Sequence, residues 1–316
     1  MNYGTILGIE KEISQLVLGC MLFTPDTMEH SYSMLDEFFA AGGNALDSAH
    51  SYGGGDSERL LGMWMKNRKN RSEVFLVDKG GHPHSAVPRP RLSPEELAHD
   101  IHESLLRLQT DYIDLFLLHR DDPEIPAGTI IEHLNQEIRA GNLRSIGASN
   151  WELDRLQEAN KYAAEHGLQG FVVSSNNISL AVPMEPMWKG VVSVSETAWD
   201  WHHETQFPLL PWSSQARGFF SGRFVPEKQD NQDMVRVYYN DANFERLRRA
   251  QIVGDKKGCT AIQISLAFVL HQPFPTFPLV GPLTHEELAS CLEALAIQLS
   301  PDEMCWLNLE TDDISS

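Results

Sequence analysis

The sequence is short of long apolar runs, of cysteine and of basic residues, and each shortage excludes something. No stretch of the 316 residues approaches the ~18 uninterrupted apolar positions of a membrane span. Lys and Arg together number 25 against 44 Asp and Glu, a formal charge of −19, so the mean surface field repels phosphate backbones and anionic headgroups. Nucleic acid and membrane are therefore not expected partners, although a local basic pocket for a small anion remains compatible with that balance. Only four cysteines occur, Cys20, Cys259, Cys291 and Cys305. None forms a C-x-x-C pair, and a chain of this length needs no covalent staple, which predicts reduced thiols. The first residues contain neither a basic segment nor a useful apolar one, so no secretory signal is visible and a cytoplasmic location is expected. No Pro/Gly/Ser linker or low-complexity tract divides the chain, which predicts one domain over residues 1–316.

What is there is a regular alternation of short apolar runs with amphipathic stretches. The runs fall at 15–20, 44–49, 74–80, 113–119, 145–150, 171–175, 209–213 and 276–281, eight in all. Residues 93–109 place Leu97, Ile101, Leu105 and Leu108 on one helical face behind Ser93-Pro94-Glu95-Glu96. There Ser93 caps, Pro94 suits the first turn and Glu96 completes a capping box. Residues 130–140 read as a helix stopped by Gly141, and 260–271 as a helix apolar on nearly all sides. Eight strand–helix units predict an α/β (β/α)₈ TIM barrel with reacting groups at the carboxyl ends of its strands. A doubly wound sheet is the alternative, but the Gly-x-Gly-x-x-Gly turn of a dinucleotide-binding version is missing. Residues 81–92 and 218–243 are expected to form long loops over one barrel end.

Barrel interiors are apolar, so charged residues that close apolar runs mark either solvent or a reaction site. Asp47, Lys79 and His119 close three such runs, and Tyr52 follows Asp47 by five residues. Singly, each has an ordinary structural reading as a turn former, solvated strand end, edge histidine or half-buried anchor. As a set they supply the parts of a proton-donating site for carbonyl reduction. An ammonium beside a phenol favours the phenolate and is expected to depress its pKa, a carboxylate holds the ammonium, and an imidazole orients a carbonyl oxygen.

The stretches around these residues resemble the aldo-keto reductases. They are Leu46-Asp47-Ser48-Ala49-His50-Ser51-Tyr52-Gly53, Ser57-Glu58-Arg59-Leu60-Leu61-Gly62, Val77-Asp78-Lys79-Gly80 and Asp111-Tyr112-Ile113-Asp114-Leu115 running to His119. Arg144 to Asn150 and Trp212 to Gly218, with Gly222, follow in family order. The resemblance implies a barrel that binds NADPH or NADH without a Rossmann fold and acts on a small carbonyl, alcohol or sugar. It implies Tyr52 as general acid, Lys79 as its partner, Asp47 as the group pairing with Lys79, and His119 as the carbonyl-orienting residue. It also maps cofactor contacts to Cys20, Met21, Asp47, Ser149, Asn150 and Ser175, to Trp212, Ser213, Ser214, Gln215 and Arg217, and to Gly281, Leu283, Thr284 and Glu287.

Four departures stand out. Ser175 occupies a position that is often glutamine, Cys291 one that is often asparagine, and Trp212 one that is often tyrosine, the last keeping a π-face. Leu283 and Thr284 stand where an arginine or lysine would hold a 2′-phosphate, and Glu286 and Glu287 nearby disfavour a dianion.

Other features read as ordinary structure. Gly53-Gly54-Gly55 lacks the ending of a P-loop and reads as a turn. His82-Pro83-His84 and His202-His203-Glu204 lack a spaced third ligand and read as solvated loop histidines, and His99 and His102 as surface residues. No metal is expected. No Gly-x-Ser-x-Gly elbow or Cys/His nucleophile is present. Trp151, Trp188, Trp199, Trp201 and Trp212 fit either an aromatic pocket or core packing. Two other functions stay open: a dinucleotide-binding regulatory or redox-sensing subunit with little turnover, and a metal-assisted hydrolase or isomerase.

Overall fold

All eight apolar runs become strand positions of one parallel barrel in the computed structural model, which describes residues 1–83 and 89–313. A two-stranded hairpin comes first, β1 (Tyr3–Gly4) antiparallel to β2 (Ile13–Ser14). The barrel then runs through β3 (Val17–Gly19), β4 (Ala45–Asp47), β5 (Phe75–Gly80), β6 (Leu115–Leu118), β7 (Ile146–Ser149), β8 (Ser174–Ser175) and β9 (Leu279–Val280). Their spatial order is β8-β7-β6-β5-β4-β3-β9. The seventh run makes single parallel bridges, Leu209 to Ser174 on one side and Leu209 to Thr276 on the other. Those bridges close the cylinder, with Leu210 N donating to Ser174 O at 2.8 Å and Phe277 N to Leu209 O at 2.8 Å.

Side chains alternate along each strand, and the two faces pack into different cores. Val17, Ala45, Phe75, Val77, Leu115, Leu117, Val173, Leu210, Phe277 and Leu279 fill the interior, joined by Ile6 and Ile13 of the hairpin segment at the amino-terminal end. Leu18, Leu46, Leu76, Phe116, Leu118 and Ile146 face outward into the helices. Gly147 is inward-facing, and a Cβ there would fall 2.6 Å from Leu117 Cδ2 and 2.7 Å from Val173 Cγ1, so only glycine fits.

The helices are α1 (Met28–Ala40), α2 (Asp56–Arg68), α3 (Pro94–Leu108), α4 (Ala127–Ala140), α5 (Leu153–Glu165), α6 (Glu196–Thr205), α7 (Gln232–Tyr238), α8 (Asp241–Lys257), α9 (Ala261–Leu270), α10 (His285–Ala294) and α11 (Pro301–Leu307). The Ser93/Glu96 capping box forms as expected, and Gly141 ends α4 at φ 86°. Residues 218–243 are not a bare loop. They contain α7, whose Met234, Val237 and Tyr238 pack with Phe219 and Phe220 into a third core, a burial that their polar neighbours conceal. The long loop that sequence reasoning did not single out is 176–195, between β8 and α6. Of residues 81–92, His84 and the others at 84–88 lie outside the described residues.

Candidate active site

Strand alternation alone determines which residues crown the barrel interior. Val77 pairs with Asp47 on β4, so Lys79, two positions later, points the same way, and Lys79 in turn pairs with Leu117 on β6. Continuing two residues from Leu117 gives His119. The same step from Val173 gives Ser175, from Leu210 gives Trp212, and from Leu279 gives Gly281. This uppermost inward layer lies at the carboxyl ends of the strands.

Tyr52 reaches the layer from a loop. Ser48 N and His50 N continue the sheet by donating to Val77 O at 2.9 Å and Lys79 O at 2.8 Å. The chain then turns back through Gly53, Gly54 and Gly55, all left-handed, at φ 58°, 64° and 93°. At Gly55 the turn also needs closeness, since a Cβ would fall 2.5 Å from the Arg107 guanidinium carbon. The glycine run is thus punctuation, as its sequence suggests.

The three strand-end residues and Tyr52 meet. Lys79 Nζ lies 2.5 Å from Asp47 Oδ2 and 2.9 Å from Ser48 O, and it donates to Tyr52 Oη at 3.3 Å. The ammonium also stands 4.8 Å from the centre of the Tyr52 ring. The Tyr52 and His119 rings meet edge to face with centroids 5.6 Å apart, and the His82 ring meets that of His119 at 4.7 Å. His82 is therefore not a solvated loop histidine but half-buried against the site.

One electrostatic expectation needs correction. Tyr52 sits above the ordinary phenol pKa, because burial outweighs the pull of Lys79 and the charge of Asp47 pushes the same way as burial. The ammonium's field is largely cancelled by the carboxylate it touches, so the resting phenol keeps its proton. Burial would strip Lys79 of its charge, but Asp47 and then Tyr52 raise its pKa above the usual lysine value. Burial pushes Asp47 up despite Lys79. His119 is held well below its usual value by burial, then by the charges of Lys79, His82 and Arg120, so its imidazole is neutral.

The remaining expected contacts fall into four groups. Around β7 and β8, Ser149 Oγ donates to Ser175 O at 2.8 Å, while left-handed Asn150 donates from Nδ2 to His119 O at 3.1 Å and to Ser149 Oγ at 3.0 Å. Asn150 Oδ1 accepts from Val192 N at 3.1 Å, so its amide is already engaged. After the seventh run, Trp212 leads into a turn where Ser213, Ala216 and Arg217 have φ of 50°, 47° and 54°, and where Ala216 N donates to Ser213 O at 2.8 Å and Gly218 N to Gln215 O at 2.9 Å. Ser214 Oγ donates to Leu279 O at 2.7 Å, and Gln215 Oε1 lies 3.5 Å from Cys291 Sγ. At the start of α10, Thr284 caps the helix and Leu283 N donates to Glu287 Oε2 at 2.8 Å; a Cβ on Gly281 would meet nothing within 4 Å. Cys20 is buried beneath the site and burial pushes its thiol up, whereas Met21 is half exposed beside it.

Several buried polar atoms at this face have no partner: Ser175 Oγ, Asn176 Oδ1, Trp212 Nε1 and His119 Nδ1. A buried unpaired polar atom is costly, so these positions fit a ligand that supplies hydrogen bonds. The donors and acceptors of a dinucleotide's carboxamide are of the kind that these atoms lack.

The family model described as "Aldo/keto reductase family" matches residues 15–308. The chain belongs to the aldo/keto reductase family. It is 28% identical over 309 residues to "Norsolorinic acid reductase stcV" of Emericella nidulans, covering 92% of this chain and 76% of that one. It is 27% identical over 300 residues to "Aryl-alcohol dehydrogenase [NADP(+)]" of Phanerodontia chrysosporium, covering 89% and 75%. The fold matches the thermostable aldo-keto reductase Tm1743 with a TM-score of 0.76 at 24% identity, over 98% of this chain and 99% of that one. This aldo/keto reductase is thus an oxidoreductase of the carbonyl-reducing kind, in a family that generally uses a nicotinamide dinucleotide. Among the described residues no helix is long and apolar enough to cross a membrane.

Other sequence readings separate. Trp188 and Trp212 face each other at the barrel mouth with ring centroids 6.1 Å apart. Trp151 is core, packed on Phe171, and Trp199 and Trp201 pack with His202, His203, Phe207 and Phe274 around α6. His202 is therefore buried rather than solvated, stacked on Phe274. His99 and His102 are exposed as expected. One grouping was missed: His50, His99 and Asp100 bring ligand atoms within 4.8 Å of one another, but Arg91 already donates to both Asp100 oxygens at 2.9 and 3.2 Å. Arg120 was missed as well, since its sequence position beside two aspartates suggests a surface ion pair.

Proposed function

We propose that this single-domain barrel reduces a small aldehyde or ketone to the alcohol, and runs the reverse reaction on an alcohol or sugar hydroxyl, with Tyr52 as the proton donor. The observation that carries the reading is the Lys79–Tyr52 hydrogen bond at 3.3 Å in a buried site, with Asp47 behind the lysine and a neutral imidazole beside the phenol. The nicotinamide dinucleotide, when bound, supplies the hydride. The residues suited to hold it are Ser149, oriented by Asn150, and Ser175 at the carboxamide, Trp212 under the ring, Ser213 to Arg217 at the phosphates, and 281–287 at the adenosine.

Tyr52, protonated at rest, gives its proton to the carbonyl oxygen as negative charge develops there. Lys79 then faces a phenolate and stabilises it, which makes the lysine's contribution largest late in the step. His119, neutral, hydrogen-bonds the same oxygen and sets the angle at which the carbonyl lies. Asp47 keeps Lys79 charged and aimed. Of the two dinucleotides, the adenosine end favours the one without a 2′-phosphate. Glu287 occupies the Leu283 N–H, and residues 281–294 contain no lysine or arginine.

The test is Tyr52→Phe. Turnover on a panel of aldehydes should fall by ~10²–10⁴, the usual worth of a general acid, while nucleotide affinity by fluorescence titration stays within about threefold. A Phe variant of undiminished turnover refutes the role. Nucleotide binding by the wild type with no turnover across the panel would instead mark a regulatory subunit.

A further inference from the structure

Arginines that are partly buried in this protein have carboxylate partners, with few exceptions. Arg71 pairs with Asp114, Arg91 with Asp100, Arg107 with Glu58 and Glu103, Arg155 with Asp121, and Arg249 with Glu245, at 2.8–3.3 Å. Pairing is what buried charge requires, because desolvating a guanidinium without compensation is costly. Arg246 is one exception, on α8, where it donates to Asn308 O. Arg120 is the other, and it stands at the site.

Arg120 follows His119 at the end of β6. Its Nη1 donates to His119 O at 2.8 Å, and among the described residues that is its only hydrogen bond, with no ion pair. The neighbouring Asp121 is drawn to Arg155, 3.3 Å away. The stem of Arg120 lies along Gly190 of the 176–195 loop, its Cδ 3.6 Å from where a Cβ would stand. The charge is felt by both reacting groups: it lowers the pKa of Tyr52 and that of His119. Burial in turn pulls Arg120 below the usual arginine value, yet a guanidinium stays charged at any pH the protein meets. On the same loop Trp188 is substantially exposed, with the Arg217 guanidinium 5.1 Å over its ring. A planar fork of donors beside a carbonyl-reducing pair, without an acid of the protein's own, is complementary to a carboxylate, which it can bind bidentately.

We propose that the substrate is an aldehyde or ketone that also bears a carboxylate, and that Arg120 receives that carboxylate while Tyr52 and His119 engage the carbonyl. The inference rests on the carbonyl-reducing reading of the same site and adds the substrate's second group. It also explains how a chain of charge −19 admits an anion: a cation within the cleft sets the local charge there, whatever the mean charge of the surface.

The experiment compares 2-, 3- and 4-formylbenzoate with their methyl esters, in the wild type and in Arg120→Met and Arg120→Lys. For the best isomer the wild-type kcat/KM should favour the acid over its ester by about tenfold or more, since charge-assisted hydrogen bonds outweigh neutral ones. In Arg120→Met that ratio should fall at least tenfold, and Arg120→Lys should restore part of it. The ratio cancels any loss of folding and any change in the acidity of Tyr52, because both aldehydes report through the same phenol. A wild-type preference for every ester, or an acid-to-ester ratio that falls less than threefold in Arg120→Met, overturns the inference. If turnover needs Tyr52 yet ignores the carboxylate, only this inference fails. If no aldehyde is turned over, or turnover survives Tyr52→Phe, the carbonyl-reducing reading fails and this inference with it.

Discussion

Replacing Lys79 by methionine removes the ammonium and keeps an unbranched side chain of similar length. The worth of that charge follows from its 3.3 Å distance to Tyr52 Oη. With an effective dielectric constant of ~20, the interaction with a phenolate is about 332/(20 × 3.3), or ~5 kcal/mol. At ~1.36 kcal/mol per factor of ten, this sets an upper bound of a few thousandfold on the loss in kcat/KM. Asp47, 2.5 Å from the lysine, cancels part of the field in the wild type. If it cancels half, the loss is about a hundredfold. The expected result for aldehyde reduction at pH 7 therefore lies between these limits. Asp47 adds no opposing charge in the variant, because a buried carboxylate without its cation takes a proton. In alcohol oxidation, where Tyr52 must first lose its proton, the pH at which activity rises should move upward. The double variant with Tyr52→Phe should be no slower than Tyr52→Phe alone, because the lysine acts through the phenol. A Lys79→Met enzyme within tenfold of wild type, or losses that multiply in the double variant, would refute this account.

Asp78, on the outward face of β5, lies buried beside Glu58 and Ser104, and its carboxyl is pushed well above the ordinary range by burial first and by the Glu58 charge second. The folded protein thus holds a proton that the unfolded chain releases above pH ~4, and stability is lost as pH rises from there toward the folded-state pKa. Asp78→Asn carries no such proton, so its gain in Tm over wild type should be larger at pH 8 than at pH 5; equal gains would count against a raised Asp78. At the adenosine end, isothermal titration should give tighter binding of NADH than of NADPH. Leu283→Arg should narrow or reverse that preference, by about 1 kcal/mol or more for a charge-assisted contact, and a wild-type preference for NADPH would show that α10 is not the discriminating element.

Much of the barrel is legible in the sequence because strand burial is a local pattern. Leu115, Leu117 and His119 against Phe116 and Leu118 is a period-two code whose inward member changes from apolar to polar at the layer where the site lies. The Ser93 capping box is equally local. What failed to show depends on residues far apart in the chain. Helix α7 looks like loop because its few apolar residues are buried by Phe219 and Phe220 rather than by a strand. His202 looks solvated because Phe274, which covers it, is 72 positions away. Arg120 is concealed by Asp121 and Asp122, since no local pattern shows that Asp121 turns to Arg155 instead. The direction of the Tyr52 shift was misjudged for a similar reason: the lysine is visible in the sequence, but the depth of burial that outweighs it is not.

The same alternation explains why the 3.3 Å contact can be held at all. In Val77-Asp78-Lys79 the two consecutive charges leave the strand on opposite faces, Lys79 into the barrel and Asp78 into the helical layer. There Glu58 of α2 accepts from Arg107 of α3 at 2.9 Å, and the same guanidinium nitrogen donates to His50 O at 3.1 Å. Arg107 therefore grips the loop that carries Tyr52 and fills the space that a side chain at Gly55 would need. The phenol is fixed by α3 from outside the sheet, and the ammonium by β5 and Asp47 from within it. Because neither depends on a bound ligand, the proton donor and its partner are preorganised before substrate arrives, which is the condition under which electrostatic stabilisation costs no rearrangement during the reaction.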